Sequence, residues 1–274
     1  LDYSEAAFRT EAGAILGEYL KSASDPEQKL YEKMMETAYT RHTYRHTVIG
    51  YLDDIRNMPA GYDYSREFFK RYYTPDDTTI FVVGDFDKAA TLASIEKAYG
   101  GWTGKSDPQP VPAEPKQTAA RRGQIVWNKP TLPRLWIAWH TPGAEDLKVS
   151  ALQNLMNAYL FGVLLRVKDA KNLKVVESSI LNEIKALAGG RLDAKRMDAV
   201  RSNLKYSNIM SLNKADAVAL SLVLNTTLTG DVDFLNKEFD ALAGLKPADL
   251  QSFAKKYLLD ANRTTVTLVT GGAK

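Results

Sequence analysis

Two glutamates close to the start of the chain, Glu11 and Glu18, have the residue type and the spacing that a metal site needs. Seven residues make nearly two turns of an α-helix, so both carboxylates would lie on one helical face, about 10 Å apart along the axis. Such a pair serves one metal centre when the nearer carboxylate ligates the ion and the other supports it from the outer shell. The alternative is an ordinary solvated helix face, and the two residues alone leave both interpretations open.

The histidines offer a second candidate metal site. His42 and His46 are four residues apart, which is the spacing that puts two imidazoles on one face of a helix in zinc sites. No glutamate stands between them to act as a general base, and the run leads into a loop at residues 49–50. We therefore expect both to pack and hydrogen-bond within a loop. His140 ends an apolar strand, and we expect it to be structural.

An α-helix has to position the glutamate pair. Residues 6–21 contain no proline, and Phe8, Ile15 and Leu16 recur at roughly helical spacing, which predicts a helix there. Aromatic residues between 62 and 73 have the spacing of a core-facing helix, although a peptide-recognition surface is the alternative. Further predicted helices span 88–99, 147–160, 173–188, 193–224, 231–243 and 247–257; predicted strands span 79–83, 124–127, 134–140, 162–167 and 264–269. Sheets covered by helices on one face define the α+β fold class.

The composition limits which partners and which metal ligands the chain can have. The 36 basic and 33 acidic residues among 274 are scattered and leave a net charge of +3, so no nucleic-acid groove is indicated. The absence of cysteine excludes disulfides and thiolate zinc sites, so a metal would need His, Asp or Glu ligands. No apolar run approaches the roughly 18 residues of a membrane span.

An internal repeat indicates two similar domains. The segment from Phe68 to Val83 matches the segment from Phe253 to Val269: a Phe, a basic pair and a Tyr in a short helix, then a turn and a strand that opens with Thr-Thr. Between the two, four prolines in residues 104–118 favour an extended, stiff connection. We predict an N-terminal domain at 1–103, a linker at 104–120 and a homologous domain at 121–274, each domain with a mixed or antiparallel sheet and helices on one face.

Two features predict that residues are missing from this sequence. The chain starts at Leu1, inside a helix-forming stretch and without an initiator methionine. A predicted helix through Tyr159 also runs into the following strand with almost no connection and no polar turn residue, so we expect residues to be absent between Tyr159 and Val163.

Together these segments resemble the insulinase/pitrilysin family of zinc metallopeptidases, in its smaller, duplicated bacterial form related to mitochondrial processing peptidase. The resemblance runs along nearly the whole chain. Its carriers are Phe8-Arg9-Thr10-Glu11 through Glu18-Tyr19, His42 to Gly50, Asp54 to Met58, Phe68 to Tyr73 with Pro75, Val82 to Asp87, and Tyr99-Gly100-Gly101-Trp102.

The resemblance implies a zinc ion and assigns it one residue of this chain. In the family a His-x-x-Glu-His helix supplies two ligands and the catalytic glutamate; the third ligand corresponds to Glu18, and Glu11 corresponds to a supporting carboxylate. This sequence departs from the pattern, because His-x-x-Glu-His does not occur among its three histidines. The Arg and Tyr that the family places near the substrate in its second domain also have no match here.

Two functions follow from the resemblance. The first is a zinc-dependent metalloendopeptidase, as subunit or fragment, in which zinc-activated water hydrolyses peptides or unfolded polypeptides; the chain as given would be inactive alone. The second is a catalytically inactive partner that binds peptide and completes a proteolytic chamber. Either implies a homo- or heterodimer with a homologous subunit, and relatives of this kind suggest a periplasmic or secreted location.

Overall fold

A four-stranded mixed sheet organises the second half of the chain. The computed structural model describes residues 3–141 and 159–271. Within these ranges the strands are β1 (Arg121–Trp127), β2 (Arg134–His140), β3 (Leu160–Arg166) and β4 (Arg263–Thr270), in the order β1-β4-β2-β3. β1 runs parallel to β4, whereas β2 is antiparallel to both of its neighbours. The predicted α+β class and the mixed sheet are confirmed.

Helices make up most of the remaining described structure. The first half contains α1 (Glu5–Ser22), α2 (Pro26–Ala38), α3 (Leu52–Asn57), α4 (Tyr62–Tyr72) and α5 (Lys88–Tyr99). The second half contains α6 (Leu173–Ala188), α7 (Ala194–Ser211), α8 (Ala215–Thr229), α9 (Phe234–Gly244) and α10 (Pro247–Tyr257).

Helices cover both faces of the sheet: helices of the second half lie on one face, and α2 of the first half lies on the other. On one face Leu135, Ile137 and Trp139 of β2 pack against α6 and α10. The other face of the same strand contributes Ala138, which is fully buried against α2 from the first half of the chain. The physical reason is that β2 is apolar on both of its faces, which is typical of a strand between two layers.

The amino-terminal half reaches the sheet through α2. Asp25 caps this helix by accepting a hydrogen bond from the Glu27 N–H at 2.8 Å, and Pro26 occupies its first turn. The side chains that α2 buries lie at positions i, i+4, i+5 and i+8, and each contributes about 1.5–3 kcal/mol on burial if it is large. They are Leu30, Met34, Met35 and Ala38, and they pack against Val266 and Leu268 of β4.

A charged contact fixes the start of α2 at the end of the sheet. The Glu27 carboxylate accepts hydrogen bonds from Arg134 Nε at 3.3 Å and from Arg166 Nε at 2.8 Å. These arginines stand opposite each other on β2 and β3, so one carboxylate bridges the two strands. The hydrogen bond from Arg166 is the main cause that holds the pKa of Glu27 below its ordinary value.

The first half differs from the prediction in two respects. Residues 79–83 form neither helix nor strand, because no strand lies beside them among the described residues. The aromatic residues of α4 do not form a core either: no residue of that helix is buried, and Phe68 is 43% exposed. Instead α3 and α4 each pack against α1, and the Tyr62 hydroxyl donates to the Tyr3 carbonyl at 2.9 Å.

Several predicted boundaries hold in the second half, and one predicted helix is split. The helices predicted at 173–188 and 247–257 are confirmed as α6 and α10. The helix predicted at 193–224 is wrong, because Lys214 is extended and separates α7 from α8. β3 begins at Leu160 and pairs with β2 in unbroken register from His140, so the suspected break before Val163 lies within a regular strand. The helix predicted at 147–160 lies almost wholly outside the described residues.

A helix that crosses a membrane must be both long enough and apolar enough to span the hydrocarbon core. No single helix within 3–141 and 159–271 meets both conditions, and α8 with α9 meets them only as a pair that is bent by 82°.

A glycine in β3 gives the first testable prediction. A Cβ on Gly162 would lie 2.5 Å from Nε1 of Trp136, whose ring stacks on Tyr31 of α2. We expect Gly162→Ala to lower the free energy of unfolding by about 1–3 kcal/mol, because the indole must leave its packed position. Urea denaturation measures the change. Gly13→Ala is the matched control: its Cβ meets nothing within 4 Å, and stability should rise by about 0.5–1 kcal/mol. Equal stability of Gly162→Ala and wild type would contradict this packing.

Candidate functional site

Helix α1 places both glutamates of the predicted metal site on its solvent face. The helix begins after Ser4, whose hydroxyl accepts a hydrogen bond from the Ala7 N–H at 3.2 Å. Glu11 and Glu18 are exposed, whereas the residue that follows each of them, Ala12 and Tyr19, is buried. The predicted helix is confirmed, and with it the placement of both carboxylates two turns apart on one side.

Neither glutamate side chain has a hydrogen-bond or ion-pair partner among the described residues, and neither belongs to a complete metal site there. No hydrogen bond or ion pair joins Glu11 or Glu18 to another residue in 3–141 and 159–271. Within the same ranges no group of three or more His, Asp or Glu side chains could hold a metal ion. The described residues therefore do not fit a zinc ion by themselves. The roles of Glu18 as ligand and of Glu11 as its support stay predictions.

The histidines have structural roles, as the sequence predicts. His42 is 1% exposed, and its Nδ1 accepts a hydrogen bond from the Tyr44 N–H at 3.0 Å, which caps a short 3-10 turn. His46 is exposed in the following loop. His140 Nε2 donates to the Ala38 carbonyl at 3.0 Å and so ties β2 to the end of α2.

A lysine connects the glutamate helix to α2. Lys29 Nζ donates to the Tyr19 hydroxyl at 3.0 Å and to Glu32 Oε2 at 2.6 Å. Burial alone would lower the pKa of Lys29, but the contacts with Glu32 and Tyr19 outweigh it and raise the pKa. Because Tyr19 follows Glu18 directly, this contact fixes the C-terminal half of α1 relative to the sheet.

An open groove lies between α2 and the end of β1. Its volume is about 560 Å³, and β1 is an outer strand of the described sheet. Val126 in the groove is 65% exposed, and Lys129 has no ion-pair partner among the described residues. The acidic side chains of the groove, Glu32 and Glu36, are each paired with a lysine of α2. An apolar strip at a sheet edge, with a free positive charge, is suited to an extended peptide.

Known proteins of the M16 peptidase type are similar to this chain. Residues 60–167 match the family model described as "Peptidase M16 inactive domain". The chain is 24% identical to Zinc protease PqqE of Helicobacter pylori over 284 residues, which covers 90% of the chain and 63% of that protein. It is 29% identical to Protein YhjJ of Salmonella typhimurium over 206 residues, which covers 74% of the chain and 39% of that protein. The chain is therefore similar to M16 peptidases over most of its length.

Solved M16 structures have the same fold. A protease from Helicobacter pylori gives a TM-score of 0.82 at 22% identity over 98% of this chain and 73% of that chain. The peptidase M16 inactive domain from Pseudomonas fluorescens gives a TM-score of 0.76 at 14% identity over 98% and 72%. Taken with the family-model match and the relative named zinc protease, this common fold confirms the insulinase/pitrilysin resemblance. The chain spans less than two thirds of the length of the two M16 relatives compared by sequence.

The family-model match does not cover the glutamate helix. The groove was not predicted from the sequence. The family model begins at residue 60, downstream of α1, so its description as inactive does not extend to Glu11 or Glu18. The groove depends on α2, which was not predicted. Its signals were present in the sequence: Asp25 followed by Pro26, then apolar residues at helical spacing up to Ala38.

The exposure of the glutamates predicts a low cost for replacing them. We expect Glu11→Gln and Glu18→Gln to change the free energy of unfolding by less than about 0.5 kcal/mol, because neither side chain has a partner among the described residues. Thermal or urea unfolding measures this. Glu27→Gln is the comparison variant, since it leaves Arg134 and Arg166 without their shared charge, and it should lose about 1–2 kcal/mol. A loss at Glu18 as large as that at Glu27 would show a structural role.

Proposed function

We propose that the protein to which these residues belong is a zinc-dependent M16 endopeptidase, to which this chain contributes Glu18 as a metal ligand and Glu11 as the supporting carboxylate. The observation that carries the proposal is the pair itself: two partner-free carboxylates held on one face of a well-capped helix. A related protein that matches 90% of the chain bears the name zinc protease, which supports the same function. The remaining ligands would come from residues outside the described ranges.

The chain's own part in this function is to bind and position the substrate. An extended peptide along β1 would add a strand to the outer edge of the sheet, and main-chain hydrogen bonds would make this binding tolerant of sequence. Val126 and Trp127 offer apolar contact, and Lys129 offers a positive charge to acidic substrates. Peptides and unfolded polypeptides are therefore the substrate class that we propose.

A catalytically inactive partner subunit is the second candidate function. It is favoured by the match of residues 60–167 to an M16 domain of the inactive type. In that case the groove would be the functional site, and a homologous subunit would supply the catalysis. For both functions we propose pairing with such a subunit and an exported, periplasmic location.

Zinc content separates the two functions. In the natural full-length protein we expect near-stoichiometric zinc, and we expect Glu18→Gln to lower the bound zinc at least tenfold while the fold persists, because a carboxylate ligand is lost. Elemental analysis after dialysis, with circular dichroism, measures both. Glu11→Gln should retain zinc with affinity reduced by about 10- to 100-fold. Unchanged zinc in Glu18→Gln would remove Glu18 from the site, and a zinc-free wild type would favour the inactive partner.

Peptide binding is expected in either case. Adding an unstructured acidic peptide should slow hydrogen exchange of the amides in residues 125–129, because a new strand protects the outer edge of β1. Lys129→Glu should weaken the affinity by about 3- to 10-fold, through one exposed charge contact of about 1 kcal/mol. The control is Lys97→Glu on α5, an exposed lysine outside the groove. Unaltered exchange at β1 under saturating peptide would contradict binding at this edge.

A further inference from the structure

The proline-rich connection between the two halves is held down along its length. We call residues 104–118 the strap; they contain no helix or strand. Near its start, the Ser106 N–H donates to Asp76 Oδ1 at 2.9 Å. Near its end, Gln117 Nε2 donates to the Arg263 carbonyl at 2.8 Å. Between these points one carboxylate, Glu114, holds the strap to the turn that follows α2.

Hydrogen-bond donors surround the Glu114 carboxylate as they would surround an anion in a binding site. Three successive backbone N–H groups, from Thr40, Arg41 and His42, donate to its oxygens at 2.8–3.1 Å. The Thr40 hydroxyl adds a fourth donor at 2.9 Å. Successive amides that converge in this way form a nest for an anion, and the Glu114 side chain is only 10% exposed. The contact depends on the carboxylate, since every donor of the nest is aimed at an acceptor.

Titratable and charged groups face Glu114 from each element packed around it. Arg121 at the start of β1 lies 3.7 Å from Oε1. His42 in the turn, His140 on β2 and Tyr39 after α2 each interact with its charge. His42 Nε2 is buried without a hydrogen-bond partner among the described residues. Arg121 is the cation among these four groups, so the net charge of the group depends on whether Glu114 is ionised.

We propose that Glu114 is an acid-sensitive latch: it fastens the strap to the turn at residues 40–42 near neutral pH and releases it in acid. The nest accepts an ionised carboxylate with all four donors. A protonated carboxyl accepts hydrogen bonds more weakly, keeps the Thr40 hydroxyl contact only by donating to it, and loses the charge pairing with Arg121. Charge-assisted hydrogen bonds are about twice as strong as neutral ones, so the strap is held mainly by the ionised form.

The pKa shifts give the direction and the pH range. Burial alone would raise the pKa of Glu114, but the N–H groups of Arg41, His42 and Thr40 outweigh it and hold the pKa below its ordinary value of 4.5. A lowered carboxyl pKa stabilises the latched state above pH 4.5, and this stabilisation is lost as the pH falls through the lowered value. Burial also lowers the pKa of His42 and of His140 from 6.5, so their contribution declines below pH 6.5 in the same direction.

Hydrogen exchange on the full chain tests the latch. At pH 7, the backbone amides of residues 40–42 should exchange at least tenfold faster in Glu114→Gln than in wild type. The reason is that the glutamine side chain has a donor NH₂ in place of one acceptor oxygen. Cleavage after Lys116 by a lysine-specific protease should accelerate as well. Wild type should acquire the same fast exchange only below pH 4.5, after correction for the intrinsic rate. Asp76→Asn, which loosens the other end of the strap, should accelerate exchange near residue 106 and leave residues 40–42 protected.

Two outcomes would overturn the latch. In the first, the amides of residues 40–42 stay as protected in Glu114→Gln as in wild type, or the variant still changes from slow to fast exchange in acid as wild type does. Either result would mean that another group controls release. In the second, protection falls equally in α2 and in β4, which would make Glu114 a general stabilising residue. Local loss at 40–42 and at the strap, with α2 and β4 still protected, supports release of a latch.

Discussion

The packing of α2 across the sheet is the contact on which the rest of the structure depends. It buries Leu30, Met34 and Met35 of the first half against Val266 and Leu268 of the second, at exposures of 0–2%. Because this apolar contact joins segments that are more than 200 residues apart, the two halves hold one relative position. The glutamate helix, the groove at β1 and the turn that receives Glu114 are all attached to α2, through Lys29, the groove lining and residues 40–42 respectively.

The close approach of helix and sheet has its own requirement in the sequence. Gly123 of β1 lies under α2, where a Cβ would stand 2.8 Å from Thr37 Oγ1. The helix can therefore approach the strand only because that position has no side chain. On the opposite layer, by contrast, α6 and α10 meet large residues such as Trp139. The sheet thus has a tight side, toward the first half, and a bulky side, toward the helices of the second.

Local signals in the sequence predicted more of the fold than its long-range contacts. Helices with regular apolar spacing, such as α6, and strongly apolar strands, such as β2, could be predicted from neighbouring residues alone. The two-sided cover of the sheet could not, because Ala138 shows only that a position is small and apolar, and not which segment covers it. The same limit applies to Glu114: its role depends on backbone amides 72 to 74 residues away. The acidic pair was predicted because both members lie on one helix.

Residues 78–83, which belong to no described helix or strand, expose apolar side chains. They present Ile80 and Val82, which are 45% and 42% exposed, and a backbone that no described strand pairs. A segment of this kind is a template for another strand. Asp76 and Asp77 precede it, and Asp85 and Asp87 follow it, so a second copy would bring like charges together at both ends, as gatekeeper residues do. Like charges at both ends therefore oppose the pairing of this segment with a second copy of itself.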